Sequence, residues 1–64
     1  MLTKKRKAEI GKMLKQVKIL WLMCPELRLG QLIGNCGIEY YIYDEVAQDY
    51  MEAYYAEIKT KKGL

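Results

Sequence analysis

Apolar residues recur at every third or fourth position through residues 10–24, which is the spacing of one face of an α-helix. The members of this stripe are Ile10, Met13, Leu14, Val17, Leu20, Trp21 and Cys24. Lysines at positions 12, 15 and 18 fall on the opposite side, where solvent is expected. The pattern predicts an amphipathic helix over residues 4–23, which Pro25 ends because the residue before a proline disfavours the helical conformation.

The last turn of this helix departs from the pattern, because Ile19, Leu22 and Met23 place apolar side chains where solvent should lie. A helix that is apolar all round is buried all round. A chain this short buries only about 60% of its unfolded surface, so it can hardly enclose such a turn, and we expect a homodimer. The expected shared core comprises the Leu14–Cys24 end of the first helix, Leu29, Leu32 and Ile33.

A second, shorter helix is predicted over residues 26–36. Proline suits the first position of a helix, Glu26 suits its positive end, and Gly37 is a natural stop. Gly30 and Gly34 either allow close approach of another helix or are tolerated at about 1 kcal/mol each. The helical spacing is repeated by Leu29, Leu32, Ile33 and Cys36. The residues expected in self-association are Ile19, Leu20, Trp21, Leu22, Met23, Gly30 and Gly34.

Residues 38–43, Ile-Glu-Tyr-Tyr-Ile-Tyr, are β-branched and aromatic, which favours a strand. A single strand has no partner within the chain, so the segment is either an extended linker or a strand that pairs with its own copy across a dimer axis. We favour an aromatic linker over residues 37–43.

Asp44 is a good N-cap and Glu45 suits a first helical turn. A third helix over residues 44–59 is predicted by the stripe Ala47, Met51, Tyr54, Tyr55 and Ile58.

The sequence therefore predicts a single all-α domain, residues 1–64, with a long, a short and a long helix, assembled as a homodimer. The hydrophobic fraction of 52% is too high for a disordered chain. Charge is divided along the chain: residues 1–20 carry seven basic groups and one acidic group, whereas residues 37–57 carry six acidic groups and no basic one. Segments of opposite sign can attract each other within a chain or between chains.

The chain contains neither histidine nor serine, and its two cysteines are Cys24 and Cys36. These absences exclude serine–histidine catalysis, imidazole acid–base chemistry and a zinc site with histidine or four cysteine ligands. A pair of acids such as Asp49 and Glu52 on a helix is usually solvated rather than metal-bound. We therefore expect no enzymatic activity, no cofactor and no metal.

The sequence also indicates the cellular compartment in which the protein is expected. Lysines interrupt every apolar stretch before Ile19, so the first residues do not resemble a signal peptide. The longest apolar run, Ile19–Cys24, is far shorter than the ~20 residues that span a bilayer. We expect no membrane association and, with two cysteines and no secretion signal, reduced thiols in a cytoplasm.

Protein binding is the function that the composition favours. Tyrosine is common in interface cores because it combines a large contact area with a polar tip, and the three tyrosines of residues 40–43 cannot all be buried in so small a domain. Their acidic neighbours suit a partner with a basic surface. The candidate partner-binding residues are Tyr40, Tyr41, Tyr43, Asp44, Glu45, Asp49 and Glu52.

The alternative is a nucleic-acid-binding accessory protein or small transcriptional regulator that uses the basic first helix. Basic side chains bind phosphates, and tyrosines stack on bases. All six tyrosines lie among acids in the sequence, however, which disfavours this function. The candidate residues are Lys4, Lys5, Arg6, Lys7, Lys12, Lys15 and Lys18.

The stretch from Trp21 to Asn35, with Pro-Glu-Leu-Arg-Leu-Gly-Gln-Leu-Ile-Gly-Asn over residues 25–35, resembles a group of small proteins. These are uncharacterised proteins of Gram-positive bacteria and their phages, with a tryptophan followed by Pro-Asp/Glu-Leu-Arg-Leu-Gly-Gln-Leu-Ile-x-Asn. They continue with a Phe-Tyr-Ile-x-Asp-like segment, where this chain has Tyr-Ile-Tyr-Asp-Glu over residues 41–45, and an acidic final helix. The resemblance covers roughly residues 18–50; the tyrosine-rich residues 40–43 and the strongly basic first helix depart from it.

The resemblance implies a small all-α protein, often phage-borne, with no established chemistry. The polar motif positions Arg28, Gln31 and Asn35 are expected to bond to helix ends or to the turn rather than to catalyse. Together with the tyrosine-rich surface, these points predict a non-enzymatic, phage-encoded protein-binding module in the host cytoplasm. It would inhibit or modulate a host protein by occupying its surface, as anti-defence proteins do, and this last step is analogy alone.

Overall fold

Residues 3–61 are described by a computed structural model of the chain. They form three helices: α1, Lys4–Met23; α2, Leu29–Cys36; and α3, Asp44–Lys61. The predicted all-α order of a long, a short and a long helix is confirmed, and residues 3–61 contain no strand. The segment between α2 and α3 is therefore a linker.

The ends of α1 follow from capping and from proline. At the start, the Thr3 side-chain oxygen accepts a hydrogen bond from the Arg6 backbone N–H at 3.0 Å. This bond satisfies one of the amides that a helix leaves unpaired at its N-terminus. At the other end, the helix stops at Met23, one residue before the Cys24–Pro25 pair, as the proline predicts.

The start of α2 corrects the prediction of a helix from residue 26. Residues 24–27 form a turn instead, in which the Leu27 N–H donates to the Cys24 carbonyl at 3.1 Å. The Trp21 indole N–H donates to the Leu27 carbonyl at 2.7 Å, so that oxygen is bonded to α1 rather than to a following turn of helix. The Gln31 side chain accepts from the Arg28 N–H at 2.9 Å and thereby caps a helix that begins at Leu29.

Gly37 ends α2, as predicted. Its φ of 86° and ψ of 13° are left-handed, and its N–H donates to the Gly34 carbonyl at 3.0 Å. The Ile38 N–H donates to the Ile33 carbonyl at 3.3 Å. This pair of bonds is the Schellman arrangement, in which glycine adopts the left-handed conformation without a Cβ penalty.

Helix α3 starts at residue 44, as predicted, but it differs from the prediction in its N-cap and in its C-terminal end. The Ala47 N–H donates to the Tyr43 carbonyl at 3.0 Å, so Asp44 is the first residue inside the helix and not its N-cap. Its carboxylate binds Arg6 of α1 instead. At the C-terminus α3 continues to Lys61, two residues beyond the predicted end, and an ion pair between Glu57 and Lys61 at 2.9 Å lies in its last turn.

The three helices meet in a small core. Its buried members within residues 3–61 are Leu20, Cys24, Leu32, Met51 and Ile58. Half-buried residues pack around them: Met13, Val17, Met23, Leu27, Cys36, Ile38 and Tyr54. Leu14 and Trp21, which the sequence placed on the same stripe of α1, remain largely outside this core.

Replacing Gly37 with alanine tests the cap of α2. We expect a loss of about 1–2 kcal/mol in the free energy of unfolding, because an L-residue is strained in the left-handed conformation. Gly34→Ala is the matched control: Gly34 has a negative φ, and a Cβ there meets nothing described within 4 Å. We expect this control to stabilise the protein by about 0.5–1 kcal/mol. Urea unfolding followed by circular dichroism measures both; equal effects would contradict the left-handed cap.

Candidate functional site

The linker presents three tyrosines to solvent. We call residues 38–43 the tyrosine loop. Within it, the Ile42 N–H donates to the Glu39 carbonyl at 3.4 Å, which closes a turn with Tyr40 and Tyr41 at its tip. Tyr40, Tyr41 and Tyr43 are 92%, 89% and 78% exposed. The two tip rings touch edge to face, with centroids 4.8 Å apart, so they form one aromatic surface.

The tyrosine loop is held by its two isoleucines and by the hydrogen bonds at its N-terminal end. Ile38 packs against the core and Ile42 is half-buried. The Schellman bonds at Gly37 fix the point where the loop leaves α2. Partly buried isoleucines on both sides of the tip therefore constrain the backbone that carries the exposed rings, which reduces the entropy that binding must remove.

The other end of the loop is held by an ion pair. The Arg6 guanidinium donates to the Asp44 carboxylate at 2.5 Å, and Glu9 lies 3.8 Å from the same guanidinium nitrogen. The hydrogen bond to Asp44, followed by its charge, raises the pKa of Arg6 above its ordinary value. Because both side chains of the pair are more than 40% exposed, salt in the solvent screens their attraction.

The same ion pair brings together two features that are far apart in the sequence. Arg6 lies in the first turns of α1 with Lys4, Lys5 and Lys7, all three of them exposed. Asp44 directly follows Tyr43. The basic start of α1 and the tyrosine loop therefore occupy the same end of the molecule. The fold therefore brings three lysines to the end of the molecule that carries the tyrosine loop, although the tyrosines lie among acids in the sequence.

The acidic candidates lie along α3. Glu45, Asp49 and Glu52 are exposed and share one face of the helix, because their spacing is i, i+4, i+7. Asp44 lies apart from this row and is bound to Arg6. The remaining basic candidates, Lys12, Lys15 and Lys18, are exposed along the rest of α1.

A second surface lies at the other end of α1. An apolar groove of about 840 Å³ runs between the last turns of α1 and the turn that leads to α2. We define the apolar groove by Leu14, Trp21, Leu22, Leu27 and Leu29. Leu14 is 63% exposed, Leu22 68% and Leu29 48%. These fractions are large for leucines that lie side by side.

The self-association candidates divide between this groove and other places. Trp21 and Leu22 line the groove, whereas Leu20 is buried and Met23 is half-buried against the core. Ile19 lines a separate cavity of about 270 Å³ between α1 and α3. Gly30 and Gly34 are exposed, and no described helix lies within 4 Å of either position.

The sequence predicts Leu14 and Leu29 in a shared core, but it does not predict that Leu27 lines the apolar groove. A signal for α1 was present, because Leu14 and Leu22 are eight residues apart and therefore share one side of the helix. No sequence pattern indicates Leu27. It lies beside Trp21 because the turn allows a hydrogen bond between the Trp21 indole and the Leu27 carbonyl, which hydrophobic periodicity does not predict.

The remaining polar and cysteine residues have structural surroundings. The Asn35 side-chain amide donates to the Tyr54 hydroxyl at 3.4 Å and so links α2 to α3. Both cysteines are free thiols, and burial raises the pKa of Cys36. Its thiolate, the reactive form, is therefore scarce at neutral pH.

Within residues 3–61, no three histidine, cysteine, aspartate or glutamate side chains are grouped so that they could hold a metal ion. None of the helices in this part of the chain is both long and apolar enough to cross a bilayer. Comparisons with protein-family models, curated proteins and solved structures give no match to this chain.

Arg6→Gln tests whether the ion pair holds the end of the tyrosine loop. The variant removes the contact with Asp44, so we expect faster hydrogen exchange at the Ala47 amide, which bonds to the Tyr43 carbonyl. Lys7→Gln removes the same charge from the same turn of α1 and is the matched control. NMR-detected exchange at low salt measures both variants; equal exchange of Ala47 in the two would show that Arg6 acts only through net charge.

Proposed function

We propose that this chain is a small, non-enzymatic protein-binding module that uses the tyrosine loop and the acidic face of α3. The observation that carries the proposal is the exposure of Tyr40, Tyr41 and Tyr43 on one anchored loop. Few residues dominate most interfaces, and tyrosine is among the most frequent of them. The exposed aromatic tip therefore supplies the kind of contact that binding requires.

Charge supports a partner with a basic surface. Glu45, Asp49 and Glu52 continue from the tyrosine loop along one exposed face of α3. Acidic groups beside an aromatic centre speed association with a basic surface and exclude acidic ones. Binding by occupation of a surface needs no catalytic group on this chain. The resemblance to phage-borne proteins supports a protein of the bacterial host as the target, inhibited or modulated in the host cytoplasm.

A second candidate function is supported by the ion pair between Arg6 and Asp44. Because this pair places Lys4, Lys5 and Lys7 at the same end as the tyrosine loop, a single nucleic-acid strand could meet both phosphate-binding and base-stacking groups there. Glu39 and Glu45 at the same end oppose a phosphate backbone. We therefore rank this function second.

Replacing Tyr41 and Tyr43 together with alanine tests the proposed function. Both side chains are exposed, so helix content should be unchanged, while affinity for a captured host protein should fall at least tenfold, because interface tyrosines commonly contribute about 2 kcal/mol or more. Tyr55→Ala on α3, outside the loop, is the control and should retain binding. Capture on the immobilised chain, identification by mass spectrometry and titration of the purified partner measure this. Equal affinity of the double variant and the wild type would contradict the proposal.

Fluorescence anisotropy with a short labelled thymidine oligonucleotide distinguishes the second function. Nucleic-acid binding predicts an affinity that falls steeply with salt, and that also falls in a Lys4→Gln, Lys5→Gln, Lys7→Gln variant. Protein recognition through the tyrosine loop predicts no specific binding to the oligonucleotide. A salt-dependent complex that is lost in both the lysine and the tyrosine variants would reverse our ranking.

A further inference from the structure

We propose that the apolar groove binds the same groove of a second copy of this chain, in a two-fold symmetric dimer. The groove begins at Leu14 and continues through the last turns of α1 into the following turn. At 1.5 Å per residue, Leu14 lies about 12 Å and Leu22 about 24 Å along the helix axis from Arg6. The dimer therefore does not depend on which partner the tyrosine loop binds.

Continuity with the core is the first argument for a second copy. Val17 lines the groove and also packs against the buried cluster, and Leu27 does the same from the turn. Within residues 3–61 that cluster has only five buried members. The core of a chain of this size rarely supplies more than about 3–5 kcal/mol of stability, and another chain is one of the usual ways to increase it. A second copy is available wherever the chain is made, so it suits the role of a cover that extends the core.

The polar groups of the groove favour an apolar cover. The only indole N–H of the chain, on Trp21, already donates to the Leu27 carbonyl at 2.7 Å. Covering the groove therefore leaves neither of these two groups without a hydrogen bond, which would otherwise be unfavourable. Leucines and the face of an indole ring are the side chains expected at the centre of such an interface.

Charge at the rim is compatible with two-fold symmetry. In a two-fold interface the same patch faces itself, so it must be self-complementary. Lys18 and Arg28 border the groove together with Glu26, so both signs are present at the rim. The start of α1, with Lys4, Lys5 and Lys7, would repel its own copy, and it lies away from the groove.

The groove alone is smaller than a typical stable interface. Ten residues line it, whereas each partner of a typical interface contributes about 20–30 residues and about 800 Å². In the proposed dimer the exposed surface around the groove therefore takes part in the contact as well.

A Leu14→Gln, Leu22→Gln variant tests the interface. Both leucines are more than half exposed, and glutamine is nearly as good a helix former, so the protomer should keep its helices. Sedimentation at micromolar concentration should give about 15 kDa for the wild type, twice the 7.5 kDa of the chain, and the monomer mass for the variant. Ile19→Gln, on the other side of α1, is the matched control and should remain dimeric.

The single tryptophan gives a second readout that needs no variant. Trp21 lines the groove, so its fluorescence emission should shift to shorter wavelength as concentration rises through the dissociation constant found by sedimentation. The proposal is overturned by a wild type that stays monomeric to high micromolar concentration, or by a double variant that remains dimeric. Dissociation caused by Ile19→Gln alone, or dimerisation without a change in Trp21 emission, would place the interface elsewhere and would equally overturn it.

Discussion

The scarcity of buried apolar surface is the constraint on which the rest of this structure depends. Only five side chains are buried within residues 3–61. They are Leu20 of α1, Cys24 directly after α1, Leu32 of α2, and Met51 and Ile58 of α3. Three helices of this length can place only a narrow stripe of each toward a common centre. Several apolar residues of α1 and the three tyrosines of the linker therefore lie at the surface, and their exposure defines both candidate sites.

The two surfaces differ in chemistry and lie at opposite ends of α1. The tyrosine loop is aromatic, flanked by acids and joined to the basic start of α1 through Arg6 and Asp44. The apolar groove is lined mainly by leucines and Trp21 and has few charges at its rim. Because they are separated, both can be occupied at once. In the proposed dimer each protomer keeps its tyrosine loop, so two linked partner sites would gain avidity where the target presents two epitopes.

Much of the fold could be predicted from the sequence because the signals are local. The spacing of Met13, Val17 and Leu20 predicts the buried side of α1, and Gly37 predicts the end of α2 through its conformation alone. The later start of α2 could not be predicted in this way. It depends on the hydrogen bond from Trp21 to Leu27 and on capping by Gln31. Residue propensities do not predict these two contacts, which favour a start at Leu29 over one near Pro25.

The candidate site was predictable only in part, for a similar reason. Exposure of three neighbouring tyrosines follows from the small size of the core. Their proximity to the basic start of α1 does not follow, because it requires the pairing of Arg6 with Asp44 across 38 positions of sequence. An N-cap role for Asp44 was the natural local expectation, and a tertiary ion pair replaced it. The position of the apolar groove could not be predicted either, because it depends on which side of α1 the other helices leave uncovered.

Hydrogen exchange of the core at two protein concentrations tests the central claim most directly. If a second copy completes the core, the amide of Leu20 should exchange by global unfolding, and its protection should rise as the concentration increases through the dimer dissociation constant. The Gly37 amide, at the end of α2, should change less. Identical protection of Leu20 at low and high concentration would contradict the account, because it would show that five buried side chains stabilise this fold without help.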